Sequence, residues 1–173
     1  MKYFKVKWAA LGFGLLLLAA CSGGGGGGKT NSTLNLTAVD SAGQTSTLAA
    51  DTSNATFVGT KNTTENKTVI QMCADVDKDN DCSHVIIMTM DGTSEKEYDI
   101  SSIDSVSQIV YHDDDLENGI TKHYISNNGK IKVTGIGTAG DPVRGTFNAT
   151  LECNAGCTGS VNVNGNFNVI LSN

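Results

Sequence analysis

Basic residues are scarce in this chain. Twelve Lys and Arg stand against 18 Asp and Glu among 173 residues. Three of the twelve precede residue 21 and no acidic residue does, so the remainder carries a net charge of 9 − 18 = −9. Because nucleic acids and anionic headgroups both attract basic patches, this balance argues against nucleic acid as a partner.

Aromatic residues are also few. The only Trp is Trp8, and beyond residue 20 the aromatic residues are Phe57, Tyr98, Tyr111, Tyr124, Phe147 and Phe167. Stacking on a sugar requires exposed aromatic rings, whereas most of these rings are expected in the core. Carbohydrate stacking is therefore disfavoured. The Asn- and Thr-rich faces of the strands remain as a surface that could bind a protein partner.

Patterns typical of enzymes are missing. No serine lies in a Gly-x-Ser-x-Gly turn, and no cysteine remains as a nucleophile if the four after residue 21 pair with one another. We therefore expect a protein that is not an enzyme.

The apolar run near the amino terminus is too short to cross a membrane as a helix. It covers Ala9 to Ala19, about half of the twenty residues that spanning requires, and after a basic start it is typical of a secretory signal. The run ends in Leu18-Ala19-Ala20-Cys21, which resembles the lipobox of bacterial lipoproteins. The resemblance implies that residues 1–20 are a cleaved signal peptide and that Cys21 carries acyl chains such as palmitate.

Such an anchor makes the membrane a partner through lipid alone. Two or three acyl chains, at about 0.8 kcal/mol per buried methylene, give stable anchoring. Ser22, where Asp favours inner-membrane retention, resembles the pattern of outer-membrane lipoproteins. The resemblance implies a cell-envelope protein on the outer membrane, and leaves open whether the domain faces the periplasm or the cell surface.

Residues 21–33 are expected to form the lipidated cysteine and a flexible linker, followed by one domain over 34–173. The linker contains six consecutive glycines, Gly23 to Gly28, and about twelve such residues span roughly 20 Å. With Lys29 and Thr30 the glycines also satisfy the phosphate-loop pattern. A phosphate loop needs a strand before it and a helix after it, whereas here we expect a cleavage site before and a polar coil after.

Cys73, Cys82, Cys153 and Cys157 are an even number of cysteines in an exported chain, which predicts two disulfides with three possible connectivities. We favour Cys73 with Cys82 and Cys153 with Cys157, because each pair flanks a turn-rich segment between two alternating runs. A zinc site made of all four is disfavoured by the spacing.

After Thr33, short runs in which apolar and polar residues alternate recur every ten to fifteen residues, and no helical period accompanies them. This pattern predicts an all-β fold. We expect a single antiparallel β-sandwich of about nine or ten strands. The predicted strands are 33–39, 55–60, 67–76, 83–90, 95–100, 107–113, 121–126, 130–136, 143–153 and 160–171.

Two Asn-Gly pairs favour tight hairpins. Asn128-Gly129 would pair Tyr124 with Val133 and Ser126 with Ile131, and Asn118-Gly119 would pair Tyr111 with Ser126.

The closing part of the chain carries motifs that appear in this order: Asn127-Asn128-Gly129-Lys130, Gly145-Thr146-Phe147 and Gly165-Asn166-Phe167. They resemble the last half of a family of β-sandwich lipoprotein domains of unknown function. The resemblance implies the same fold and brings no catalytic residue.

Four carboxylates occupy every second position between Cys73 and Cys82, at Asp75, Asp77, Asp79 and Asp81. Oxygen-rich loops suit calcium, but Ile86 stands where an EF-hand has its bidentate glutamate, and strands flank the loop. We expect a solvated hairpin tip without a cofactor, with calcium binding as the alternative.

His112 and His123 lie on strands either side of an acidic group formed by Asp113, Asp114, Asp115 and Glu117. The predicted register makes the histidines diagonal neighbours on one outer face. With a carboxylate they could hold zinc or copper, whereas a solvated polar face explains the same residues without metal.

The sequence therefore predicts a membrane-anchored envelope lipoprotein that serves as a non-catalytic binding or structural module. A calcium-dependent adhesion or sensor module using the four aspartates is one alternative. A small envelope hydrolase or metalloenzyme using the two histidines is the other.

Overall fold

Alternating apolar and polar residues give this chain strands throughout the part that the structure, a computed structural model, describes: residues 32–53, 55–76, 82–115 and 120–172. No helix occurs in these ranges. The strands are β1 (Thr33–Asp40), β2 (Thr45–Asp51), β3 (Ala55–Asn62), β4 (Lys67–Val76), β5 (Cys82–Met90), β6 (Glu97–Ile100), β7 (Gln108–Asp115), β8 (Ile120–Ile136), β9 (Pro142–Ala155) and β10 (Ser160–Ser172).

All ten strands are hydrogen-bonded into one sheet, which folds into the two layers of the sandwich. One layer has the order β2-β1-β10-β9-β8-β6, and the other has the order β3-β4-β5-β7. The layers meet where the end of β10 pairs with β3 over two residues in parallel, and where the first part of β8 pairs with β7. The β10–β3 pair is parallel, and all the remaining pairs, including β7–β8, are antiparallel. The predicted all-β antiparallel sandwich is confirmed.

The core between the layers is built from alternate residues of nearly every strand. The largest side chains that are fully buried are Leu34, Ile70, Met72, Ile86, Met88, Met90, Ile109, Ile131, Leu151, Leu171, Val143 and Val163. In β9 and β10 the predicted inward faces are confirmed, because Phe147, Leu151, Val161 and Phe167 are buried while Asn162, Asn164 and Asn166 are exposed.

Two phenylalanines explain the Gly-Thr-Phe and Gly-x-Phe motifs. In the β9–β10 pair, Phe167 lies opposite Gly145 and Phe147 lies opposite Gly165. A Cβ at Gly145 would lie 2.7 Å from Cζ of Phe167, and one at Gly165 would lie 2.6 Å from Cζ of Phe147. Each ring therefore covers a glycine on the neighbouring strand, and no larger residue fits beneath it.

The hairpin predicted at Asn128-Gly129 is wrong. The 17 residues of β8 continue through this point, and Gly129 pairs with Ala149 of β9. The register shifts between Ser126 and Asn128, which is a β-bulge. A bulge adds one residue to one strand, so it moves the buried set from even-numbered to odd-numbered positions just as a two-residue turn would. The long partner β9 runs beside both halves of β8 and makes the continuous strand the better arrangement.

The predicted hairpin between β7 and β8 exists, but its register is two residues away from the prediction. Tyr111 pairs with Tyr124 and not with Ser126. Because side chains alternate with a period of two, a shift of two residues preserves the faces. The tip at 116–119, with Asn118-Gly119, lies outside the described residues.

Strand β2 was not predicted. Its sequence is TSTLAAD, and only Ala50 is buried, because β2 is an edge strand that pairs with β1 alone. An edge strand with little buried surface has no clear alternating signal. Ten strands result because β2 is added and two predicted strands merge into β8.

Both predicted disulfides are confirmed. Cys73 pairs with Cys82, with their Cα atoms 5.5 Å apart, and Cys153 pairs with Cys157, with theirs 5.7 Å apart. The first closes the β4–β5 hairpin and the second closes the β9–β10 hairpin.

Candidate functional site

A row of ionisable side chains crosses the inward face of three neighbouring strands near their ends. His84 of β5 lies opposite Asp113 of β7, which lies opposite Lys122 of β8. Nζ of Lys122 donates a hydrogen bond to Oδ2 of Asp113 at 3.0 Å, and Nδ1 of His84 lies 3.5 Å from Oδ1 of Asp113. All three side chains are partly buried, so one carboxylate is shared between two nitrogen groups in a semi-enclosed place.

Two tyrosines form the next row toward the core. Tyr111 and Tyr124 are paired across β7 and β8, with ring centroids 6.2 Å apart, and the ring of His84 stacks on the other side of Tyr111 at 6.2 Å. The Tyr111 hydroxyl lies 3.2 Å from Nδ1 of His84. Only 5% of Tyr111 is exposed, and this burial raises the pKa of its phenol, with a further rise from the charge of Asp113.

Burial is also the main reason that the pKa of Tyr124 is raised. The charge of Lys122 opposes this rise, whereas the charges of Asp113 and Asp40 add to it. Both phenols therefore stay protonated at neutral pH and are available as hydrogen-bond donors.

A cavity of about 190 Å³ opens beside these two rows, and we call it the distal cavity. Its walls include Ala38 and Asp40 of β1 in addition to Tyr111, Asp113, Lys122 and Tyr124. Asp40 is fixed in place because its Oδ1 accepts hydrogen bonds from the backbone N–H groups of Ala42 and Gln44 at 2.9 and 2.8 Å.

The distal cavity lies at the opposite end of β1 from Thr33, where this strand begins. Strand β1 begins at Thr33, next to Ser32, whose Oγ accepts a hydrogen bond from the N–H of Ile170 at 3.1 Å. It ends at Asp40 on the cavity wall. Seven residue steps at ~3.3 Å each place these ends about 23 Å apart.

The chemistry of the distal cavity suits a small polar ligand. Asp40 and Asp113 supply carboxylate acceptors, Lys122 supplies a cationic donor, and the tyrosines supply neutral hydroxyls beside the apolar Ala38 and Val161. Sites that bind small molecules combine an apolar wall with a few fixed polar groups in this way.

Of the acidic group predicted between the histidine-bearing strands, Asp113 lies on the opposite face of β7 from His112. Asp113 belongs to the inward row with His84, because it shares a face with Tyr111, two residues earlier, whereas His112 points to the other face. The sequence contained a signal for this arrangement, since a residue two positions from a buried tyrosine must share its face.

His112 and His123 are neighbours on the outer face, as predicted, although they lie directly opposite one another and not diagonally. Their ring centroids are 4.2 Å apart with an angle of 32° between the planes. Nδ2 of Asn154 lies 3.2 Å from Nδ1 of His123. We call His112 and His123 the outer histidine pair.

Several predicted site residues lie beyond what the structure describes. Cys21 and the six glycines of the predicted linker fall outside the described ranges, and so do Asp77, Asp79, Asp81 and Glu117. Asp75 lies in β4, and Asp114 and Asp115 lie in β7. Within the described ranges, no group of three or more His, Cys, Asp or Glu side chains is placed to hold a metal. The calcium and metal hypotheses stay predictions.

In the described part of the chain, no helix is long and apolar enough to cross a membrane. Comparisons with family models, with curated proteins and with solved structures find no match for this chain.

Proposed function

We propose that this protein is a lipid-anchored, non-catalytic binding module of the bacterial outer membrane, and that the distal cavity is its binding site. The observation that carries the proposal is the position of that cavity, at the end of the sandwich remote from the start of β1. A chain held at Cys21 would present this end away from the bilayer.

The sequence supports the anchor. An apolar run too short to span a membrane ends in Leu18-Ala19-Ala20-Cys21, and six glycines follow. The linker then provides roughly 20 Å of flexible reach, which lets the domain stand clear of the headgroups.

The composition of the cavity supports binding more than catalysis. Its charged groups are largely satisfied by one another, since Lys122 and Asp113 form an ion pair at 3.0 Å, and its tyrosines stay protonated. Groups in this state recognise a ligand by hydrogen bonds and shape, whereas a catalytic group needs a pKa close to the working pH.

The anchor is tested by growing cells with an alkyne analogue of palmitate and comparing the wild type with Cys21→Ala. We expect the wild type to carry the label and to sediment with the outer membrane, and the variant to lose both properties. A wild-type protein without label, or a labelled Cys21→Ala variant, would overturn the anchor.

The orientation is tested with a fluorophore on an introduced cysteine in lipidated protein on vesicles that contain a quencher lipid. Ser46→Cys places the probe on the cavity wall, and Ser53→Cys places it two residues beyond Asp51, the partner of Thr33 at the linker end. We expect stronger quenching at position 53. Equal or reversed quenching would contradict a cavity that faces away from the membrane.

Ligand binding is tested by thermal shift with a panel of amino acids, short peptides and sugars. A compound that raises the Tm of the wild type should lose its effect in Asp113→Asn. Glu97→Gln is the matched control, because Glu97 also pairs with a lysine, Lys130, at 2.6 Å, but on an exposed outer strand. A compound whose effect is lost equally in both variants does not use the distal cavity.

A further inference from the structure

The outer histidine pair places two imidazole rings side by side on one face of the sheet. Each residue comes from a different strand, and the β7–β8 ladder fixes the two backbones directly opposite one another. The pair needs no loop to bring it together. Its ligands are thus preorganised by the sheet, which is the condition for tight binding by few donors.

The spacing of the rings decides which metal geometry they fit. A metal–nitrogen bond is about 2.0–2.1 Å, so each ring centroid would lie about 3.2 Å from a bound ion. Two such rings have centroids about 4.5 Å apart when the nitrogen–metal–nitrogen angle is a right angle, and about 5.2 Å apart at the tetrahedral angle. The observed 4.2 Å is close to the first value and about 1 Å short of the second.

The ring of His123 also has a polar neighbour. Nδ2 of Asn154 lies 3.2 Å from Nδ1 of His123, and because an amide nitrogen only donates, Nδ1 accepts in this arrangement and Nε2 carries the proton. Metal-bound histidines instead donate the N–H of the ring nitrogen that does not bind the metal. A metal on Nε2 therefore requires the other tautomer of His123, with the Asn154 carboxamide turned so that its oxygen accepts from Nδ1.

We propose that His112 and His123 form a surface site for one divalent transition-metal ion, with copper(II) preferred over nickel(II) and zinc(II). Right-angle nitrogen ligation suits the tetragonal geometry of copper(II) and nickel(II), and the general order of affinities places copper first. Water completes the coordination. This site lies on the opposite face of β7 from the distal cavity and is independent of the proposed function.

The third histidine in the chain provides a matched control. His84 sits on the inward face, stacked on Tyr111 and near Asp113, so it cannot join the outer pair. The full chain carrying Cys21→Ser, which cannot be lipidated, is titrated with Cu²⁺ alone and compared with the same protein carrying His112→Asn, His123→Asn or His84→Asn.

We expect one equivalent of Cu²⁺ to bind in the parent protein, with an electron paramagnetic resonance spectrum that shows coupling to two nitrogens. His112→Asn and His123→Asn should each weaken binding at least tenfold and leave coupling to one nitrogen, whereas His84→Asn should bind as the parent does. Equal weakening by all three substitutions, or unchanged binding in His112→Asn and His123→Asn, would refute the site.

A second measurement does not depend on the variants folding. In the proton NMR spectrum of the parent protein, a small fraction of one equivalent of Cu²⁺ should broaden the ring signals of His112 and His123 and spare those of His84. Broadening of all three rings alike, or of none, would also refute the site.

Discussion

Gly129→Ala is the substitution that tests most directly how β8 is built. Gly129 has φ of 137°, and a Cβ there would lie 2.3 Å from the carbonyl oxygen of Asn148 and 2.5 Å from Cα of Ala149. Both contacts are with the backbone of β9, which cannot move aside as a flexible side chain could. Alanine at this position therefore disturbs both the conformation of β8 and its pairing with β9.

The expected cost has two parts. Holding a non-glycine residue in a sparsely populated region of φ and ψ costs about 1–3 kcal/mol. Displacing tightly packed neighbours costs a further 1–3 kcal/mol, roughly. We therefore expect Gly129→Ala to lower the free energy of unfolding by about 4 kcal/mol, which is a large fraction of the ~5–15 kcal/mol that stabilises a typical domain.

The measurement is urea unfolding of the Cys21→Ser protein, followed by far-ultraviolet circular dichroism. Gly43→Ala is the control, because Gly43 also has a positive φ, 80°, but an added Cβ there meets nothing within 4 Å. It should cost only about 1–2 kcal/mol. If Gly129→Ala were no more harmful than Gly43→Ala, the close approach of β9 to β8 at Gly129 would be refuted, and a two-residue turn at Asn128-Gly129 would fit better.

Three further outcomes are expected. Removing the Cys73–Cys82 disulfide should cost more stability than removing Cys153–Cys157, because the sequence separations are 9 and 4. The chain-entropy model gives about 2.6 kcal/mol for the first and about 1.9 kcal/mol for the second. Urea unfolding of the paired Cys→Ser variants measures both costs, and the reverse order would contradict this prediction. The pKa of Asp141 is lowered from 3.8 because its carboxylate accepts hydrogen bonds from the backbone N–H and hydroxyl of Thr138, so this stabilisation is present above pH 3.8 and lost as the pH falls through the lower folded-state pKa. The Tm difference between the wild type and Asp141→Asn should accordingly shrink toward zero in acid, and a difference that persists there would show another cause. Calorimetric titration with calcium should show no heat if residues 75–81 are only a solvated tip; saturable heat that disappears in Asp77→Asn with Asp79→Asn would instead establish the calcium-dependent alternative.

The sequence predicts strands well where one face is apolar and the other polar over many residues. β4 was predicted at 67–76, its observed range, and the inward faces of β9 and β10 are confirmed, because valine, leucine and phenylalanine alternate with asparagine and threonine there. Burial of one face fixes such a strand regardless of its partners. β2 lacks this signal and could not be found by it.

Local turn chemistry was a less reliable guide. Asn128-Gly129 satisfies the residue preferences of a type I′ turn, yet the chain continues because β9 pairs with both halves of β8. A bulge and a two-residue turn both change the parity of the buried face. The sequence therefore shows that the buried face moves from even-numbered to odd-numbered positions. It does not show whether a bulge or a turn causes the change, because that depends on β9, which follows later in the chain.

The distal cavity could have been predicted from a gradient that three strands share. Along each inward face, the side chains change over four residues from buried to ionisable, and in β7 and β8 a tyrosine stands between the two. The series are Met88, Ile86, His84 in β5, Ile109, Tyr111, Asp113 in β7, and Ser126, Tyr124, Lys122 in β8. Neighbouring strands place these series side by side.

A core that ends in tyrosines can keep their rings buried while their hydroxyls reach a polar opening. Paired charges beyond the tyrosines avoid the cost of an isolated buried ion. The same gradient at one end of three adjacent strands therefore indicates an open, hydrogen-bonding mouth and not a closed core. Because β1 begins at the other end, a protein anchored through Cys21 would carry that mouth on the side away from the bilayer.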